Sequence, residues 1–439
     1  MIPMRNRATK QFKVQSMPTL CATQSSRAVR TKSRRRIALA RSGSDVPNSL
    51  EAFLTPTHVV WTTLNQRASP KRRSSTNIAA VRRPRLQTVV SAQICTEWGY
   101  DILNLESVTK NRALEIICEA VFKHFSFGTS VGDAGVNSEA WMRLVRRIAV
   151  TYEGDEARPN AYHNCTHAAD VVQTVSALCS QHKFQTTFHT QDVWVLCVSA
   201  MMHDYQHMGV TNAFLANTKD PIALMFSDDS ILERYHLYTF FTVLESGSDV
   251  DIFQGFGSDE RAYFRFTIIQ LVLSTDLAFS GEIHATYSDA LESYEQTGSV
   301  DTSDIRLVLM QMVLKCADVS HAAKPLKLHY EWSRRVTSEF FAQGEREKEA
   351  GVPLTAICQR ASVNVADSQC GFIDYVVRKP FEMLKRFSGD TPISCRSSAH
   401  IEANSQFWSR SFAPMGVFPP LEPTLVSAAA SRSSSARVR

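Results

Sequence analysis

Residues Ala161 to Val172 read AYHNCTHAADVV. Coiled as a helix, His163, His167 and Asp170 recur at spacings of four and three. That puts two imidazoles and a carboxylate on one face. A second stretch, MMHDYQHMGVTN, carries His203 and His207 at i, i+4, with Asp204 beside the first. A third, KCADVSH, ends an apolar run on Asp318, with His321 close behind. Any one such histidine is ordinarily a satisfied core or surface residue. Three separated segments that each bring imidazoles and carboxylates to the polar end of an apolar run point elsewhere. Burying them together costs several kcal/mol per unpaired charge, and a shared divalent cation removes that cost. A mixed His/Asp set suits zinc, while carboxylate and water oxygens suit magnesium or manganese.

The elements that must hold these residues are helices. From about Trp98 the segments RALEIICEAVFKHF, EAWMRLVRRIAVTY, AADVVQTVSALCSQH, RAYFRFTIIQLVLST, IRLVLMQMVLKCADV and HYEWSRRVTSEFFAQGEREKEA all place apolar residues at three-and-four spacing. Short breaks such as SVGDAGVNS and NTKDP separate them, and alternation at period two is lacking. The pattern predicts one all-α, compact multi-helix domain over residues 96–412. The longest strongly apolar piece, VWVLCVSAMM, is about half the ~18 residues that a bilayer span requires and runs straight into His203. It reads as a buried helix.

Two flanking regions differ from this body. Residues 1–95 hold 18 Lys/Arg against 2 Asp/Glu, whereas residues 96–439 hold 30 against 41. The Ser/Arg-rich leader predicts a disordered basic arm, and residues 413–439 predict a low-complexity tail. The ten cysteines are scattered without a CxxC pair, which suggests no disulfide framework and a reducing, cytoplasmic setting. The acid-free first 44 residues also suit an organelle transit segment or a nuclear-type basic cluster. Arg72, Arg73 and Ser75 form an R-R-x-S pattern for a basophilic kinase, where phosphate would add roughly two negative charges. SRRRIALARS is basic but presents only Ile37, Leu39 and alanines as its apolar face, which argues against calmodulin binding. The oligomeric state is left open.

YHNCTHAADV, HDYQHMGVTN, TDLAFS, KCADVSH and SQCGFIDYVV resemble, in order and spacing, the signature blocks of class I cyclic nucleotide phosphodiesterases. The resemblance runs from EWGYDILNLE to ANSQFWSRS and covers the helical body. The stretch from Cys316 to Arg360 most resembles the calcium/calmodulin-stimulated branch. The resemblance implies an HD-type fold and a phosphoric diester hydrolase that terminates cyclic-nucleotide signals, with a nucleoside 5′-monophosphate as product. It implies His167, His203, Asp204 and Asp318 as zinc ligands. Asp204 would be shared with a second ion, usually magnesium, whose waters Glu233 holds, and His207 would support the site from behind. Two metals lower the pKa of a water held between them and orient in-line displacement. His163 is implied as the general acid that protonates the departing 3′-oxygen, with Tyr162 lining the pocket. Asp170 is left as a partner that orients a ligand histidine. Gln369 would read the purine edge, while Phe372 and Val336 would clamp its two faces.

The sequence departs from the family pattern at Arg234 and Tyr235, where Asn and His are usual, and at Leu277 and Ser280, where Met and His are. None of these is a presumed metal ligand or the general acid. His321 stands where cAMP-selective members carry Asn, so use of both cAMP and cGMP is implied. Two other readings stay open: an HD-type phosphohydrolase acting on another nucleotide, and a catalytically impaired cyclic-nucleotide-binding or scaffold protein. Nucleic-acid binding by the basic arm would show as a steep salt dependence.

Overall fold

The structure, a computed structural model, describes residues 93–421 apart from 134, 153–158 and 299–302. The leader through residue 92, with Ser75 and SRRRIALARS, and the chain from 422 onward lie outside the described residues. Among the described residues the architecture is all helical, as the apolar periodicity predicts. The helices of eight residues or more are α1 (Ile102–Thr109), α2 (Ala113–His124), α3 (Ser138–Val150), α4 (Cys165–Cys179), α5 (Thr190–Met202), α6 (Ile231–Glu245) and α7 (Ser258–Leu273), then α8 (Ser280–Thr297), α9 (Ser303–Asp318), α10 (Leu326–Ala350), α11 (Val365–Phe372), α12 (Arg378–Ser388) and α13 (Pro392–Ser409). No single helix among the described residues is long and apolar enough to cross a membrane.

Position in the bundle follows from composition. α4 and α5 are apolar or small on nearly every face, and both are buried along almost their whole length. α4 packs against α2, α5 and α9, which makes it the central helix of the body. α3 is amphipathic and turns Trp141, Leu144, Val145 and Ile148 inward. Trp141 meets Trp194 of α5 edge-on at 4.8 Å, and Phe127 meets Trp194 at 5.3 Å, so one aromatic cluster locks α5 to the N-terminal helices. α9 is gripped by α7, α8 and α12, which fixes the depth of its last residue, Asp318.

Side-chain caps set where the helices begin. Asn137 accepts from the Glu139 and Ala140 N–H groups ahead of α3, and Asn164 accepts from those of Thr166 and His167 ahead of α4. The α4 cap fixes the register of His167 at the third helical position. Within α10, Gly344 permits a close crossing: a Cβ there would lie 2.1 Å from the Cys358 carbonyl oxygen. Between α11 and α12 the chain makes a π-helical turn at Ile373–Val377, an irregularity that periodicity alone does not announce. Packing continues past Phe412, where Tyr330 donates to the Pro419 carbonyl (2.7 Å) and Phe418 meets Trp408 edge-on.

Candidate metal centre and active site

Three helix ends converge on one point. α4 brings His167 from its first turn, α5 is capped by His203 with Asp204 next, and α9 finishes at Asp318. His167 Nε2 lies 3.2 Å from Asp318 Oδ1 and 3.5 Å from Asp204 Oδ2. His203 Nε2 lies 3.0 Å from Asp204 Oδ2 and 3.4 Å from Asp318 Oδ1. The four ligand atoms all fall within 4.8 Å of one another.

The donor set fits a divalent metal on its own chemistry. His203 Nδ1 donates to the Ala200 carbonyl at 2.9 Å, because a carbonyl can only accept. A neutral ring therefore turns a bare Nε2 lone pair toward two carboxylates. That atom is buried and makes no hydrogen bond. Burial disfavours charge on this ring, yet Asp204 and Asp318 outweigh it and draw a proton onto His203. Something positive has to sit between these groups, and a divalent ion at the centre of two nitrogens and two carboxylates meets the same demand.

A second group shares Asp204. His236 Nδ1 donates to the Tyr205 carbonyl at 2.8 Å, and its Nε2 lies 3.7 Å from Asp204 Oδ1. His207 accepts the Gly209 N–H at Nδ1 (3.0 Å), and its ligand atom completes a set with Asp204 and His236. Glu233, on α6 with His236, accepts from Asn212 at 3.0 Å. Burial, then the nearby Asp276 charge, push the Glu233 carboxyl up to about 7.

His163 stands where α4 is entered and stacks on His207 at 3.9 Å between ring centroids. Its Nδ1 pairs with the carboxylate of Glu339 from α10, which also accepts the backbone N–H groups of Tyr162 (3.0 Å) and His163 (3.2 Å). Burial works against charge on His163, but Glu339 and then Asp204 overcome it and lift the imidazole to about 9. Burial likewise raises Glu339, and the His163 charge more than reverses this, holding the carboxyl at about 2. The pair is therefore imidazolium–carboxylate near neutral pH, with the second imidazole N–H free to serve as an acid.

A cavity of about 570 Å3 is lined both by this polar cluster and by apolar side chains, among them Val336, Phe340 and Phe372. Of the expected site residues, Tyr162, His163, Asp204, His207, Glu233, Asp318, Val336, Gln369 and Phe372 line it, while His167 and His203 are buried. Gln369 Oε1 accepts the Ser333 hydroxyl at 2.8 Å, and Phe372 lies parallel to the His321 ring at 5.3 Å. Trp408 donates to His329 Nε2 (2.7 Å), so the His329 proton sits on Nδ1 and is donated to His321 Nδ1 (3.0 Å). The relay leaves the His321 proton on Nε2. Burial holds both rings neutral, well below the usual histidine range.

Two residues at the centre were not read from the sequence. His236 stands in DDSILERYH three positions after Glu233, so its spacing was a usable signal. Glu339 lies in the charged run SEFFAQGEREKEA, where Glu347 is buried as well, so only its contact with His163 sets it apart. Asp170 requires a correction. It orients no ligand histidine: both its oxygens take Lys324 Nζ at 2.8 Å, deep in the core. The buried Lys324 ammonium is neutralised by this carboxylate, and nothing in the spacing HAAD reveals that partner.

Residues 162–395 match the family model for 3′5′-cyclic nucleotide phosphodiesterases. The 3′,5′-cyclic-AMP phosphodiesterase 4C of Rattus norvegicus is 32% identical over 314 residues, which cover 69% of this chain and 57% of that relative. Its Mus musculus counterpart is 32% identical over 324 residues, 71% of this chain and 46% of the relative. The chain thus spans about half the length of these curated relatives. Both names are those of cyclic-AMP phosphodiesterases, and neither carries the calmodulin-stimulated branch that the stretch from Cys316 to Arg360 resembles. With more than half of its length matched by the family model, this chain belongs to the 3′5′-cyclic nucleotide phosphodiesterase family.

Proposed function

We propose that the protein hydrolyses 3′,5′-cyclic nucleotides, cAMP and cGMP, to nucleoside 5′-monophosphates. One observation carries this reading: a single cavity is lined by Asp204, Asp318 and the charged His163 and also by Gln369 and Phe372. A cyclic nucleotide matches both sets, with an anionic phosphodiester at one end and a flat purine at the other. The similar rat and mouse proteins named for cyclic AMP support the substrate class.

His167, His203, Asp204 and Asp318 would hold zinc, and Asp204 with waters kept by Glu233 would hold magnesium or manganese. Such ions screen the phosphate charge and make a water nucleophilic near neutral pH. The remaining steps belong to the chain itself. His163 delivers its Nε2 proton to the departing ribose 3′-oxygen, while Glu339 holds Nδ1–H and so fixes the ring's aim. His207 stacks beneath that ring and limits its tilt. Gln369 hydrogen-bonds the purine edge: the Ser333 hydroxyl takes one lone pair of Oε1 and so fixes which way the amide faces. Phe372 and Val336 clamp the base between them.

The test is turnover of cAMP and cGMP by the full chain, followed as 5′-monophosphate, with magnesium and then with chelator. Metal-dependent release supports the reading, and the ratio of kcat/KM values gives the base preference. A folded protein that carries zinc and turns over neither nucleotide would be a binding or scaffold protein instead.

A further inference from the structure

Lys315 is 1% exposed and sits on α9 one turn before Asp318. Its ammonium donates to three consecutive backbone carbonyls, those of Ser274 (3.4 Å), Thr275 (3.0 Å) and Asp276 (3.4 Å). Three donors thus meet three acceptors, at the carbonyl end of α7 where the helix dipole is negative. A leucine or methionine would fill the same volume without any charge to desolvate. What the ammonium adds is direction, since it fixes how three successive peptide planes face.

The segment so fixed walls the cavity with Thr275, Asp276 and Leu277. Asp276 spends its two oxygens on separate neighbours: Oδ2 accepts the Ser230 hydroxyl at 2.9 Å and Oδ1 accepts the Ala278 N–H at 2.9 Å. Ser230, at φ +43°, is the residue from which α6 starts, and α6 carries Glu233 and His236. A continuous path therefore runs from Asp318 through Lys315, the 274–276 carbonyls, Asp276 and Ser230 to the base of α6.

We propose that Lys315 is a positioning residue that sets α6 relative to α9, so that Glu233 and His236 face the second, oxygen-rich metal position beside Asp204. The inference rests on the two-metal reading given above. Its test uses the full chain loaded with zinc, titrated with Mn2+ and followed by the loss of the free-ion electron paramagnetic resonance signal. Lys315→Met is expected to weaken Mn2+ binding about tenfold, the low end for residues that orient ligands from behind. Zinc content stays unchanged, and Lys315→Arg restores part of the affinity. Mn2+ affinity equal to wild type in Lys315→Met overturns the proposal, even if its melting temperature falls, because a merely structural role moves only the latter. Should Lys315→Met fail to fold, Ser230→Ala breaks the same path further along. It must weaken Mn2+ to a similar degree, and unaltered binding there also overturns the proposal. A wild-type chain that holds zinc but takes up no Mn2+ overturns the two-metal reading itself and this inference with it.

Discussion

Replacing Glu339 with Gln removes the charge that keeps His163 loaded with its proton while preserving shape. The amide can still accept the backbone N–H groups of Tyr162 and His163, so the turn before α4 keeps its support. His163 now stands at about 9, against about 6.5 for an ordinary imidazole. Because 23% of its side chain faces the open cavity, solvent screens part of the Glu339 effect. We therefore expect a drop of about one to two pH units, or about 1.4–2.7 kcal/mol. The sign follows from the role: a general acid works while protonated, so activity fails as pH rises through its pKa. The assay is the pH profile of kcat/KM for cAMP at saturating magnesium. The alkaline limb of Glu339→Gln should move to lower pH, with about a 3- to 25-fold loss at pH 8.5 and near parity at pH 6.5. A uniform loss at every pH, or an alkaline limb that coincides with wild type, would refute the assignment of His163 as an acid tuned by Glu339.

Further changes separate the roles of neighbouring residues. His163→Ala should slow hydrolysis by about 10²–10⁴-fold with metal content unchanged, and zinc loss measured by atomic absorption would make it a ligand instead. Asp318→Ala should release zinc and abolish turnover, and full activity after chelation would remove Asp318 from the metal centre. Lys324→Met leaves Asp170 as a buried charge without its partner and should cost about 3–5 kcal/mol in urea unfolding. A cost below about 1 kcal/mol would mean that Asp170 finds water or a proton cheaply. Gln369→Ala should raise KM with little effect on zinc content, and an unchanged KM for both nucleotides would take the amide out of base recognition.

Most of the helices, the order of their blocks and the residue types of the four-residue cluster His167, His203, Asp204 and Asp318 were legible in the amino-acid sequence. These depend on local rules. Apolar residues at three-and-four spacing dictate a buried helical stripe, and histidines beside aspartates at polar helix ends have few uses other than metal. The family resemblance added the assignment of roles. Partners remote along the chain were not legible. Glu339 lies 176 positions after His163, and Asp170 meets Lys324 from 154 positions away. A carboxylate's sequence neighbourhood says that it is charged, not which cation it will meet. The choice between orienting an imidazole and neutralising a buried lysine is made only when α4, α9 and α10 pack at particular depths. The same holds for Lys315, which in sequence is one more basic residue in an apolar run and in the fold meets three carbonyls. The sequence by itself thus determined which chemistry the chain can hold and on which helices. Tertiary packing decided which charges face each other, because those energies depend on distance and burial across elements that share no local pattern.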